Sequence, residues 1–126
     1  MFMLGRPVAR VIVAGGILLA GIATAAAAGA LAIGTCGAYG YAFDYSRIDA
    51  AEKEAIRKCS AKGCRVVTAM KKNCAAFAVD LKNACGAYGY ASAARLGLAQ
   101  NTALQQCYGN GGKECVIRAF ACDGKG

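Results

Sequence analysis

The stretch Cys36-Gly-Ala-Tyr-Gly-Tyr-Ala42 returns as Cys85-Gly-Ala-Tyr-Gly-Tyr-Ala91. The segments after the two copies match as well. A helical run ends in cysteine (Cys59, Cys107), a second cysteine opens a β-rich run (Cys64, Cys115), and a third closes it (Cys74, Cys122). The pattern predicts an internal duplication with units at about 29–74 and 75–126 inside one domain, 29–126. Within the first copy Tyr39, Tyr41, Phe43 and Tyr45 alternate with Ala38, Gly40, Ala42 and Asp44, the period of a strand with one aromatic face and one nearly bare face. The second copy sets Tyr88 and Tyr90 against Ala87, Gly89 and Ala91. Glycine weakens a strand interior, so its return at the same place predicts a backbone, most simply a helix, lying close on that side.

Outward from this core, Gly29-Ala-Leu-Ala-Ile-Gly34 and Ala75-Ala-Phe-Ala-Val79 are apolar runs ending in turns, each read as the hairpin partner of the tyrosine strand after it. Ser46 to Cys59 reads as a helix with Ser46 and Asp49 as capping candidates and Ile48, Ala51, Ala55 and Cys59 on one buried face. Its counterpart, about Ala93 to Cys107, repeats that face with Leu96, Ala99, Ala103, Leu104 and Cys107. Glycine-bearing turns at Lys62-Gly63 and Tyr108-Gly-Asn-Gly-Gly-Lys113 end the helices, and Arg65 to Met70 and Val116 to Ala121 come next as strands. The fold class expected is α+β: an antiparallel sheet from two pseudo-twofold β-β-α-β units, two helices on one face, stapled by disulfides.

The chain has 126 residues, a formal charge of +8 and no histidine. Arg6 and Arg10 precede an uncharged apolar run, and Ala23-Thr24-Ala25 and Ala26-Ala27-Ala28 supply small-x-small cleavage patterns. Residues 1–28 are therefore read as a signal peptide, cut after Ala28 or a few residues earlier, with no membrane span in the mature protein. The other reading of this segment is a retained anchor, since the uncharged run is long enough to span a bilayer. Loss of Arg6 and Arg10 takes the charge from +8 to +6. A basic domain outside the cytoplasm favours anionic partners, and the candidates are an anionic envelope component or another protein. Nucleic acid is not expected.

Eight cysteines at matching spacings in an exported chain read as a disulfide framework. Eight allow 105 pairings, but a pseudo-twofold relation selects those in which a cysteine pairs inside its own unit in both copies or with its counterpart in the other. Cys59 with Cys64 and Cys107 with Cys115 meet the first condition. Cys36 with Cys85 and Cys74 with Cys122 meet the second, and each of these long loops contributes about 3 to 4 kcal/mol through the unfolded state. Zinc is the competing use of thiolates, but no C-x-x-C pair occurs, so no metal is expected. No cofactor is expected either.

Taken together, these elements resemble a bacterial family. The Gly-Ala-Tyr-Gly-Tyr strand, the alanine-rich helix ending at Cys59, the Cys64-Arg-Val-Val strand and the Asn73-Cys74-Ala-Ala-Phe-Ala-Val hairpin are similar to domain-of-unknown-function family 4189. The resemblance covers essentially the whole mature region and implies a secreted or periplasmic domain of duplicated β-β-α-β type. It brings no established catalytic or binding residue. This chain departs from the common pattern in its short first strand and in Cys36 and Cys85.

The absence of histidine removes the usual general base and the nucleophile systems that depend on it. Asp44, Asp49, Glu52 and Glu54 cluster at a helix start, where the helix dipole accounts for them. A carboxylate-based envelope hydrolase, or an inhibitor of an envelope enzyme, is the alternative to a binding or structural module. No catalytic residue is assigned. Gly109-Asn-Gly-Gly is not followed by Lys-Ser or Lys-Thr, so it reads as a turn and not a phosphate loop. The binding residues expected are Tyr39, Tyr41, Tyr88 and Tyr90 with the cations Arg65 and Arg118, because tyrosine faces beside basic groups suit sugars or a partner surface. The alternative for the tyrosines is packing, against the sheet or in a dimer.

Overall fold

The structure is a computed structural model that describes residues 28–124, so the signal-peptide expectation for 1–28 lies, but for its last residue, outside the described residues. Each half runs through the order β-β-α-β. The first holds β1 (Ala28–Ile33), β2 (Tyr39–Tyr45), α1 (Ile48–Lys58) and β3 (Arg65–Lys71). The second holds β4 (Cys74–Asp80), β5 (Tyr88–Ala93), α2 (Leu96–Gly109) and β6 (Cys115–Cys122). The strands form two antiparallel sheets, β2-β1-β3 and β5-β4-β6. Their registers correspond: Leu31 opposes Tyr41 as Phe77 opposes Tyr90, and Ile33 opposes Tyr39 as Val79 opposes Tyr88.

The glycine-alanine faces carry the helices, as the strand glycines require. Ala51, Ala55 and Cys59 of the first helix segment meet Ala30, Ala32 and Ala42. Ala99, Ala103 and Cys107 meet Ala76, Ala78 and Ala91. A β-carbon placed on Gly40 would lie 2.2 Å from the Ala55 carbonyl oxygen, and one on Gly89 would lie 2.3 Å from that of Ala103. Only a residue without a side chain lets the helix settle at that distance.

One sheet carrying both helices on one face was expected, and the chain instead divides its strands between two sheets, each with its own helix. The reason lies in β1 and β4. Both are central strands with both edges paired, and both are buried on both faces. Their large side chains point away from the helices and need cover, so the sheets stack. Leu31, Ile33 and Met70 from one side meet Ala75, Phe77, Val79, Ala119 and Ala121 from the other. The layers run α1, first sheet, second sheet, α2.

The pairing of the cysteines follows the same division. Cys59–Cys64 and Cys107–Cys115 tie each helix end to the next strand, while Cys36–Cys85 and Cys74–Cys122 join the halves. All eight cysteines lie in these bridges. Three local readings are corrected. Neither Ser46 nor Asp49 caps α1; the N-cap is Arg47, and Asp49 accepts two hydrogen bonds from the Arg47 guanidinium at 2.9 and 2.7 Å. The second helix starts at Leu96, later than Ala93. The alternation of β2 breaks at Asp44, which has φ 61°, beside a register shift between Ala28 and Ala30, so Tyr45 packs with the α1 cluster and not with Tyr41.

Two buried carboxylates fasten the loops. Asp123 accepts hydrogen bonds from the amides of Asp44 (3.0 Å) and Lys72 (2.9 Å), both residues with positive φ. Asp80 accepts from the amides of Lys82 (3.0 Å), Glu114 (3.1 Å) and Lys113 (3.2 Å). The Lys82 amide, reinforced by those of Lys113 and Glu114 against the opposing effect of burial, holds the Asp80 carboxyl below the usual carboxylate range.

Gly89→Ala should destabilise the domain by at least about 2 kcal/mol, lowering Tm by roughly 10 °C. Gly97→Ala, in α2 with open space around it, should leave Tm level or raise it. Calorimetry on the two variants checks both directions. Because the folded-state pKa of Asp80 is depressed, its contribution is present above the ordinary carboxylate range and is lost as pH falls through the folded value. Asp80→Asn should therefore lower Tm by several degrees at pH 7, and that difference should close toward pH 2 in a series of thermal melts.

Candidate functional site

The site begins in two short loops, one after β1 and one after β4. After β1 the chain turns through Gly34-Thr35-Cys36-Gly37, closed by hydrogen bonds from Gly34 N to Ala38 O (2.9 Å) and from Ala38 N to Thr35 O (3.1 Å). Cys36 and Gly37 sit at φ 56° and 81°, a region that glycine enters freely and cysteine does not. After β4 the chain passes through Leu81 to Ala87. There Asp80 anchors Lys82, Asn83 receives the amides of Gly86 (at its carbonyl) and Cys85 (at its side chain), and Cys85 is brought opposite Cys36.

The bridge between these loops lies at the seam of the two sheets, beside a cleft of about 300 Å³. The loops form part of its lining, with Arg65 at the start of β3, Tyr88 at the start of β5 and buried Phe77. Among the described residues lining the cleft, Arg65 is the only charged one. Its guanidinium donates to the Tyr88 hydroxyl at 3.3 Å, a contact that raises its pKa further and leaves it cationic at every pH of interest.

A second arginine completes a crossed arrangement. Arg118 Nε donates to the Gly37 carbonyl at 3.1 Å, and its Cζ stands 5.7 Å from the centre of the Tyr39 ring. Each sheet thus sends an arginine from its last strand to the first tyrosine of the other. Phe77 joins the two tyrosines, with ring centres 6.5 Å from Tyr39 and 6.2 Å from Tyr88.

The six residues expected to bind are therefore not one surface. Tyr39 and Tyr41 belong to the first sheet and Tyr88 and Tyr90 to the second, all on the sides away from the helices. Tyr39, Tyr41 and Tyr90 are half-buried against the inter-sheet core, and rows of stacked rings run along each strand, Tyr39 on Tyr41 on Phe43 and Tyr88 on Tyr90. Tyr88, at 36% exposure, is the tyrosine that opens into the cleft with Arg65. Sequence reading did not single out Phe77 or the Gly37 carbonyl for the site; an apolar residue inside a buried strand and a main-chain oxygen carry no side-chain pattern to find.

The acidic residues at the start of α1 stand apart from the cleft. Asp49 is paired with Arg47, and Glu54 with Arg57 and, at 3.8 Å, with Lys58. The arginine hydrogen bond is in each case the main cause that holds the carboxyl below its ordinary value. Such groups are ionised at neutral pH, the wrong state for a proton donor. Asp44 accepts from the Gly124 amide at 3.3 Å.

Neither the curated proteins nor the solved structures contain a match to this chain. The family model described as domain of unknown function DUF4189 matches residues 28–122, from the first residue of β1 to the last of β6. The chain belongs to the DUF4189 family.

Proposed function

We propose that this protein is an exported, disulfide-stapled binding module, built by duplication, whose cleft takes an anionic group of an envelope component. The observation that carries the reading is Arg65: one guanidinium, unopposed by any acid among the residues lining the cleft, set beside the Tyr88 ring and two loops of exposed backbone. A fork of N–H donors next to an aromatic face suits a carboxylate, sulfate or phosphate on a ring-bearing ligand. Tyr88 and Arg65 touch the ligand. Arg118, fixed to Gly37 and Tyr39, holds the loop that forms the opposite wall. Tyr39, Tyr41 and Tyr90 pack against the core between the sheets.

Export is supported by the leader pattern in 1–28 and by a framework of four disulfides, which persist in oxidising compartments. Among the described residues no helix is long and apolar enough to cross a membrane. Ala28 is buried and pairs with Tyr45 and Lys71, which favours a cut ahead of it, such as after Ala25.

The intact mass of the native protein should lack Met1 to Ala25; a mass that includes them would overturn the export reading. For the cleft, a uronic-acid oligosaccharide titrated into isotope-labelled protein should shift the signals of Gly37, Arg65, Gly86 and Tyr88. A neutral oligosaccharide of the same length should not, and Arg65→Gln should weaken the anionic ligand about tenfold. Equal shifts with both sugars, or shifts confined to the helices, would sink the proposal.

A further inference from the structure

The four disulfides are not equally placed. Both cysteines of Cys107–Cys115 are buried, and Cys59–Cys64 and Cys74–Cys122 each join one buried to one half-buried cysteine. Cys36 and Cys85 are both exposed, and both line the cleft with Arg65. Thiol–disulfide exchange needs a thiolate to reach a disulfide sulfur, so access decides which bridge reacts. The cleft volume of about 300 Å³ admits a small molecule, and the Arg65 charge concentrates anions there.

We infer that Cys36–Cys85 is a modification site for small thiols that carry an anionic group, a reading that rests on Arg65 as the anion anchor of the cleft. The thiolate of the incoming molecule attacks one sulfur of the bridge. A new S–S bond forms between them as the Cys36–Cys85 bond breaks, and the electron pair of the broken bond leaves on the other cysteine as a thiolate. That thiolate takes up the proton that the incoming thiol gave to solvent. One protein sulfur is thereby reduced and the incoming sulfur oxidised, and attack by the freed cysteine on the mixed disulfide restores the bridge.

The fold is arranged to outlast this opening. Cys74–Cys122 still joins the halves, Phe77 still bridges Tyr39 and Tyr88, and Asp123 still fastens the β2 end and the β3–β4 turn. The loop in which Cys36 holds φ 56° is released. Modification would therefore change the wall of the cleft and leave the four layers in place.

The test uses the folded mature protein and three probes: 2-mercaptoethanesulfonate (anionic), 2-mercaptoethanol (neutral) and cysteamine (cationic), with rates expressed per thiolate. After brief exposure, alkylation and peptide mapping should find adducts and free thiols at Cys36 and Cys85 alone. The anionic probe should react about tenfold faster than the cationic one, and Arg65→Gln should remove that preference while Arg65→Lys keeps most of it. Adducts appearing first at Cys59–Cys64, Cys107–Cys115 or Cys74–Cys122 would overturn the assignment of the exchange site and leave the anion cleft standing. Adducts at Cys36 and Cys85 with no preference among the probes would overturn the charge selection and, with it, the anchor role of Arg65. Both results come from the unaltered protein, so neither depends on a variant that must fold.

Discussion

The backbone of each helix rests on a strand where a glycine leaves no β-carbon between them, and the geometry of the molecule descends from that contact. At Gly40 an added β-carbon would fall within 3 Å of the Ala55 oxygen, the Cys59 nitrogen and the Lys58 carbonyl carbon, and at Gly89 the neighbours correspond closely. So near an approach demands small residues along the whole interface, which is why the helices offer Ala51, Ala55, Ala99 and Ala103 and the strands offer Ala30, Ala32, Ala76 and Ala78. An interface made of alanine buries little area per residue, and burial is what stabilises. The bulk therefore has to lie on the other faces, where Leu31, Ile33, Met70, Phe77 and Val79 meet between the sheets.

The cleft is a by-product of that stacking. Two sheets that meet through a few large side chains leave space at the seam, and here the loops after β1 and β4, joined by Cys36–Cys85, line it. Arg65 and Arg118 start from edge strands and reach across the seam, each to a tyrosine of the other sheet. The polar groups are therefore set by the union of the halves, and neither half alone contains the site. Asp80 has a similar role from beneath, since it fixes the start of the loop that carries Cys85 to the Lys113–Glu114 turn.

Much of this was legible in the sequence, because the matching segments of the two halves print each packing rule twice. The recurrence of Gly40 at Gly89 announced the helix contact, the spacing of Ala51, Ala55 and Cys59 announced the buried stripe, and matching cysteines reduced the possible pairings to a symmetric set. Periodicity conveys which side of a strand a residue faces, and not what covers that side. The stacking of two sheets was for that reason out of reach, as was the sharing of the tyrosines between them. The break at Asp44 has no local signal because its cause is remote: the carboxylate that receives its amide belongs to Asp123. The N-cap was misplaced because Ser46 has the right chemistry, whereas the structure starts the helix after Arg47 with no side-chain cap at all.

The two bridges between the halves also decide how the domain bears tension. From Ala28 the shortest covalent route to Gly124 runs along β1 to Cys36, crosses to Cys85, returns through β4 to Cys74 and crosses again to Cys122. Both helices and four of the six strands, β2, β3, β5 and nearly all of β6, lie off that route. A pull on the ends would load β1 and β4, the two central strands, and could not draw out the rest of the chain while both bridges held. Under such a pull, the contour length available to force is set by sulfur and not by the strength of the fold. Opening Cys36–Cys85 would lengthen the route by adding the stretch from β2 through β3, so a chemical event at the cleft would be read as slack.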